Sequence, residues 1–223
     1  MAQAGIHGLV GMAVRKLFPS RTWLMLGILF GSLLPDTDNI FVAAATVMNK
    51  STDGLHRTFT HSLFFAVALV AIFWIVGQIA KQPRWINLGL GLGIGVVLHT
   101  ILDLLIWFNG VAVLWPIPSW VNLWSWFTVP AWLDKILMTV EFLFFALFFL
   151  ALDGFARKRG TDKGYIKTLR VWTIVQAVLF VAFTALVFMI SKGFMTIYGA
   201  VYLLSLLLAL GVLVRMRETV EAI

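Results

Sequence analysis

The chain has 223 residues, 61% of them hydrophobic and only 12% charged, against about 25% charged in soluble domains. Several runs approach the ~20 apolar residues that cross a bilayer, so a soluble globule is excluded. The lack of period-two alternation excludes a membrane β-barrel. The absence of cysteine excludes disulfides and thiolate metal ligands.

Residues 6–18 (IHGLVGMAVRKLF) form an apolar run too short to span, closed by Pro19-Ser20. Arg15 and Lys16 follow this run instead of preceding it, so no cleavable signal peptide is expected and His7 stays in the mature protein. Residues 22–34 are a second short run, ended by LPDTD (Leu34 to Asp38); residues 39–48 continue as a broken helix. A polar loop runs from Asn49 to Thr60. Full spans are expected at 62–80, 85–108, 131–152, about 170–190 and 194–214 by length and hydropathy. Between them lie a Trp- and Pro-rich stretch at 109–130, a basic loop at 153–169 and a short polar tail. The expected fold is therefore all-α and polytopic, with about five full spans plus a short N-terminal helical hairpin or broken helix. No repeat or linker divides it. One membrane domain over 1–223 is expected, with 1–130 as its chemical core and 131–223 as additional transmembrane helices.

The net charge of +7 sits in short loops between apolar runs, which is a topology pattern and not a nucleic-acid patch. No nucleic acid partner is expected. With the 153–169 loop in the cytoplasm, thirteen of the 17 basic residues fall inside. Lys50, Arg57, Lys135 and Lys192 fall outside. That threading brings His7, Asp36, Asp38, His56, His61, His99 and Asp103 to a similar depth near the extracytoplasmic face.

These seven groups carry the candidate chemistry. His99 and Asp103 are four apart on a helix and share one face. They suit one cation, or the carboxylate orients the imidazole from behind; ionisable groups at membrane depth are functional by default. Asp36 and Asp38 can point to one ion or two adjacent ions, or one can cap the next helix, a role open equally to Asn39. His56 and His61, in HRTFTHS (His56 to Ser62), would diverge by about 140° on a continuous helix. They are expected instead to straddle a loop-to-helix junction, with Thr60 or Ser62 near the cap. Arg57 between them is a natural clamp for phosphate or carboxylate. His7 is the weakest member, followed by Gly8, which permits close backbone approach. Glu141 is either a functional acid or bonded to a neighbouring helix. Six of the ten tryptophans lie between Trp107 and Trp132, as an interfacial belt or as a lipid-gathering rim beside the site.

The order His7-Gly8, GSLLPDTD (Gly31 to Asp38), HRTFTHS, HTILD (His99 to Asp103) and LWP (Leu114 to Pro116) resembles the YdjM-like family. That family is described as LexA-binding, inner-membrane-associated metal-dependent hydrolases, and the likeness covers about the first 120 residues. It is grouped in turn with zinc-dependent phospholipase C and related single-strand nucleases. The resemblance implies a multi-pass protein of a bacterial or archaeal inner membrane. It implies two or three zinc ions, or another divalent metal, held by His7, Asp36, His56, His61, His99 and Asp103. Asp38 would be a ligand or the general base. The implied reaction is hydrolysis of a lipid phosphate or lipid-linked phosphodiester by metal-activated water, with Arg57 holding a phosphate oxygen and the substrate reaching the site past the Trp-rich rim. The alternative is a metal ion or proton transporter built on the same cluster, since interrupted helices are common in transporters. HRTFTH is not HExxH, which argues against a metalloprotease.

Overall fold

In a computed structural model the described residues are 4–190 and 192–223, and they fold as helices joined by tight connections. In chain order these are α1 (Ala4–Ala13), α2 (Leu24–Leu33), α3 (Asn39–Val47), α4 (Leu63–Ala80), α5 (Pro83–Ile106), α6 (Ala131–Arg159), α7 (Ile166–Met189), α8 (Phe194–Arg215) and α9 (Arg217–Ala222). Pro35 ends α2, and a single 3₁₀ turn, Pro35–Asp38, passes the chain directly into α3. The expected broken helix is thus one interrupted span, Leu24–Val47. With Leu63–Ala80, Pro83–Ile106, Ala131–Arg159, Lys163–Met189 and Phe194–Arg215, six helical segments among the described residues are long and apolar enough to cross a membrane. The protein is a multi-pass helical membrane protein.

Two expectations needed revision. The basic 153–169 stretch is mostly helical: α6 runs on to Arg159, where Gly160 closes it at φ 71°. A 3₁₀ turn, Lys163–Tyr165, then leads into α7. The polar tail is α9, with Thr219 and Val220 buried. The amide and hydroxyl of Thr219 both donate to Asp162, each at 2.8 Å. Lysine and arginine are good helix formers, so a run of positive charge does not by itself mark a loop. The Trp- and Pro-rich stretch carries no helix. It holds a two-residue antiparallel ladder, β1 (Val111–Ala112) and β2 (Trp120–Val121).

Glycine sets how the site-bearing helices meet. In α5 the run LGLGLGIG places Gly91 and Gly95 on one face and Gly89 and Gly93 on nearly the opposite one, because two residues advance the helix by about 200°. Gly91 and Gly95 meet Gly27 and Gly31 of α2, backbone against backbone: a Cβ on Gly95 would lie 2.6 Å from the Ser32 amide nitrogen. Gly89 and Gly93 receive Phe73 and Val70 of α4. Such small-xxx-small spacing lets spanning helices close where no water-driven apolar burial is available. On the other side of α1, the packing is aromatic: Phe142, Phe145, Phe148 and Phe149 of α6 are fully buried, with Phe183 of α7 and Tyr198 and Tyr202 of α8 beside them.

The basic ends of the helices gather together. The Trp23 amide donates to Glu221 at 2.6 Å, Arg84 stacks over Trp23, and Arg215 over Tyr165. His99 lies 16 residues along α5 from Pro83, about 24 Å from that end of the molecule at 1.5 Å per residue.

Candidate metal centre

Four segments converge at the opposite end. α1 brings His7, the α2–α3 turn brings Asp36 and Asp38, the stretch before α4 brings His56, Arg57 and His61, and the last turns of α5 bring His99 and Asp103. His7, Asp36, Asp38, Arg57, His61, His99 and Asp103 are all 3% exposed or less, and His56 is partly buried.

HRTFTHS folds as a junction. A 3₁₀ turn, Phe59–His61, precedes α4, and the Ser62 hydroxyl caps it by accepting from the Phe65 amide at 3.1 Å. Arg57 has φ 60°, a left-handed conformation that costs a non-glycine residue on the order of 1 kcal/mol. Two backbone bonds hold it there: its amide donates to Asp38 at 3.2 Å, and its carbonyl accepts from Ala112 at 2.9 Å. The Trp-rich stretch therefore packs directly on the site segment through β1, and the Val113 carbonyl also accepts from Leu63.

The donor atoms form three overlapping groups that could hold a metal ion: His7, His99 and Asp103; Asp36, His61 and His99; Asp38, His56 and His61. The Nε2 atoms of His61 and His99 are 3.2 Å apart. Asp36 Oδ1 lies 3.8 and 3.7 Å from them, and Asp103 Oδ2 lies 3.6 and 3.8 Å from them. Zinc bonds of about 2.1 Å in tetrahedral array put ligand atoms about 3.4 Å apart, so each of these two triangles has the right size for three ligands of one ion. His7 Nε2 is 3.1 Å from Asp103 Oδ1, and its ring stacks on His99 with centroids 3.6 Å apart. Asp103 has His7 and Arg57 within reach, whereas both oxygens of Asp36 are buried without a hydrogen-bond donor. Buried carboxylate oxygens in that condition are costly unless a cation meets them. The cluster thus suits a divalent metal.

The imidazoles are aimed from behind. His99 Nδ1 donates to the Ser32 carbonyl at 2.8 Å, which leaves Nε2 as the lone-pair nitrogen facing the cluster. Asp103 lies on that same Nε2 side, so it shares the cluster with His99 and does not orient it. Asp38 does orient. Its Oδ1 accepts from His56 Nδ1 at 2.7 Å and its Oδ2 from Thr60 Oγ1 at 3.0 Å, with His61 Nδ1 at 3.4 Å. Burial draws the His56 imidazole down to about 4, against the opposing pull of Asp38, and burial lowers His7 as well. Both are neutral near pH 7, the form that binds metal. Neither aspartate caps α3 with its side chain; Asn39 donates instead to the Asp36 carbonyl.

Arg57 is 3.4 Å from Asp103 and donates to the Asn109 carbonyl at 3.4 Å. Glu141 stands outside the cluster. It accepts from the Gly5 amide at 3.1 Å, so it caps the start of α1 from a neighbouring helix. Three contributors carry no sequence signal of their own: the Ser32 carbonyl, Thr60, and Thr100, whose hydroxyl donates to the His61 carbonyl at 2.8 Å. The paired glycines under the site did have one, the four-residue spacing.

The family model described as YdjM inner membrane protein matches residues 1–218, well beyond the 120 residues that carry the motifs. Neither a curated protein nor a solved structure matches the chain.

Proposed function

The chain belongs to the family of YdjM inner membrane proteins, and from that premise we propose a membrane-embedded, metal-dependent phosphoesterase, akin to zinc-dependent phospholipase C, that acts on a lipid phosphate or phosphodiester. The observation that carries the reading is the convergence of all four histidines with three buried aspartates, in groups that share ligands. Each imidazole has one lone pair to give, so the residue suited to bridge ions set side by side, two or three in number, is Asp103, with Oδ1 towards His7 and Oδ2 towards His61 and His99. Zinc fits the nitrogen-and-oxygen donor set and the tetrahedral spacing. When bound, such ions supply Lewis-acid polarisation of a phosphoryl oxygen and a water acidified to near neutral pH.

The chain's own residues have separable tasks. Asp36, Asp103, His7, His61 and His99 offer the donor atoms. His56 offers Nε2 while Asp38 holds its other nitrogen. Among the roles open to Asp38, positioning His56 and His61 suits its contacts best, because direct ligation or proton acceptance would require it to shed one of its donors. Arg57 keeps a fixed positive charge beside Asp103, suited to a phosphate oxygen. The basic helix ends lie away from the cluster, which favours an extracytoplasmic site by the positive-inside rule. A transport route is disfavoured by the backbone contact of α2 and α5 at Gly27, Gly31, Gly91 and Gly95, which closes the way towards the basic end.

The test is metal analysis of purified protein and of His61→Ala, joined to a panel of lipid phosphates and phosphodiesters. Wild type should carry bound divalent metal and release phosphate or headgroup, and the variant should lose most of both. Unchanged metal in the variant would sink the site assignment. Metal-dependent ion flux in proteoliposomes without hydrolysis would favour the transporter.

A further inference from the structure

A groove of about 340 Å³ runs between α3 and α8, within the ~300–1,000 Å³ of small-molecule sites. Val42, Ala43 and Val47 form one wall, and Gly199 and Leu203 the other. Both walls belong to segments that can span a membrane, so in a bilayer the groove opens on hydrocarbon. The lining of α3 extends from Asn39 to Val47, about 12 Å at 1.5 Å per residue.

One end of the groove is polar and adjoins the metal centre. Asn39 lines it and donates to the Asp36 carbonyl at 2.9 Å, with Asp38 Oδ1 at 3.4 Å. Tyr202 lines it too, is 4% exposed, and has a buried hydroxyl without a hydrogen-bond partner. That hydroxyl is within electrostatic reach of Asp36 and Glu141. A buried phenol hydroxyl ordinarily finds a partner. An apolar trough that ends at an unmet hydroxyl beside phosphate chemistry has the polarity of an amphiphile: hydrocarbon along the trough, an ester or ether oxygen at the hydroxyl, phosphate at the cluster.

We propose that the α3–α8 groove takes one hydrocarbon chain of the substrate directly from the bilayer, with the Tyr202 hydroxyl donating to an oxygen that links chain to phosphate. This rests on the phosphoesterase reading and narrows its substrate to long-chain phosphate esters that enter between α3 and α8, in place of entry past the Trp-rich stretch.

The full-length protein in vesicles is photolabelled with phosphatidic acid bearing a diazirine in one acyl chain, and the labelled residues are mapped. Hydrolysis of long-chain phosphatidic acid is compared with that of a water-soluble aryl phosphate. A side chain at position 199 meets no atom within 4 Å at its Cβ, so Gly199→Phe fills the groove without displacing backbone. Expected are labels on residues 42–47 and 195–203, reduced at least fivefold in Gly199→Phe while labels on the lipid-facing side of α4 persist. The ratio of long-chain to aryl turnover should fall at least tenfold in that variant and severalfold in Tyr202→Phe. Labels confined to residues 109–130 would overturn the proposal. So would equal groove labelling by a diazirine diacylglycerol, which would mark an annular lipid only. Phosphate-selective groove labelling without hydrolysis would sink the phosphoesterase reading and leave the groove standing; hydrolysis with an unlabelled groove would do the reverse.

Discussion

The α2–α5 pair and the α6–α8 bundle solve the same packing problem in opposite ways. α2 and α5 touch through glycine, with a prospective Cβ at Gly91 only 2.8 Å from the Gly27 Cα. α6, α7 and α8 touch through rings, with Phe142, Phe183, Phe194 and Tyr198 in one continuous stack of edge and offset contacts. In a bilayer neither pair gains from leaving water, so fit alone decides. Rings hold axes apart and fill the gap with dispersion contacts. Glycine removes the gap, and only that closeness lets His99 reach the Ser32 carbonyl. The chemistry thus sits where backbones approach, and the aromatic half supports it from behind, with Glu141 capping α1 across the boundary.

The largest test of this contrast is Gly95→Leu, which drives a side chain into the α2 backbone. Folded protein recovered in detergent should fall at least tenfold, read by size-exclusion chromatography; normal recovery would mean that α2 and α5 can separate and the glycine contact is dispensable. Next is Phe145→Ala, a ring removed from the other half, which should cost about 3–5 kcal/mol in detergent unfolding. Metal per folded molecule should remain unchanged, and a parallel loss would show that the halves are coupled. Asp38→Asn keeps the shape but weakens the hold on His56 and His61. Metal affinity should drop about 10–100-fold, measured by competition with a chromophoric chelator, with little change in stability. Acid should act through the imidazoles. His56 is depressed in the folded protein to about 4, below the ordinary ~6.5. Its contribution to metal-free stability is therefore complete above about 6.5 and is lost as pH falls towards the folded value. Stability rising on acidification across that window would contradict the assignment. The smallest effect belongs to Gly211→Ala in α8, where a Cβ meets nothing within 4 Å; stability should stay within about 0.5 kcal/mol.

The spans and the histidine and aspartate set were legible because each rests on a local property: hydropathy over a bilayer's length, or side-chain chemistry. Ser62 as cap and His99 with Asp103 on one face follow from local geometry too. The basic 153–169 stretch misled because a run of charge does not by itself mark a loop, and Arg157 to Arg159 are at home in a helix. The contacts of Asp38 could not be read locally either, since its donors, His56, the Arg57 amide and Thr60, come from a segment about twenty positions away.

By itself, then, the sequence determined the membrane class, the order of the spans and which residues are able to ligate a metal, since all three depend on residue type and short-range spacing. The tertiary structure alone decided that His7 stacks on His99 from 92 positions away, that the buried Asp36 carboxylate lacks a hydrogen-bond donor, and that Arg57 sits beside Asp103. Those facts depend on how closely α1, α2 and α5 approach, and no single segment encodes a distance between helices.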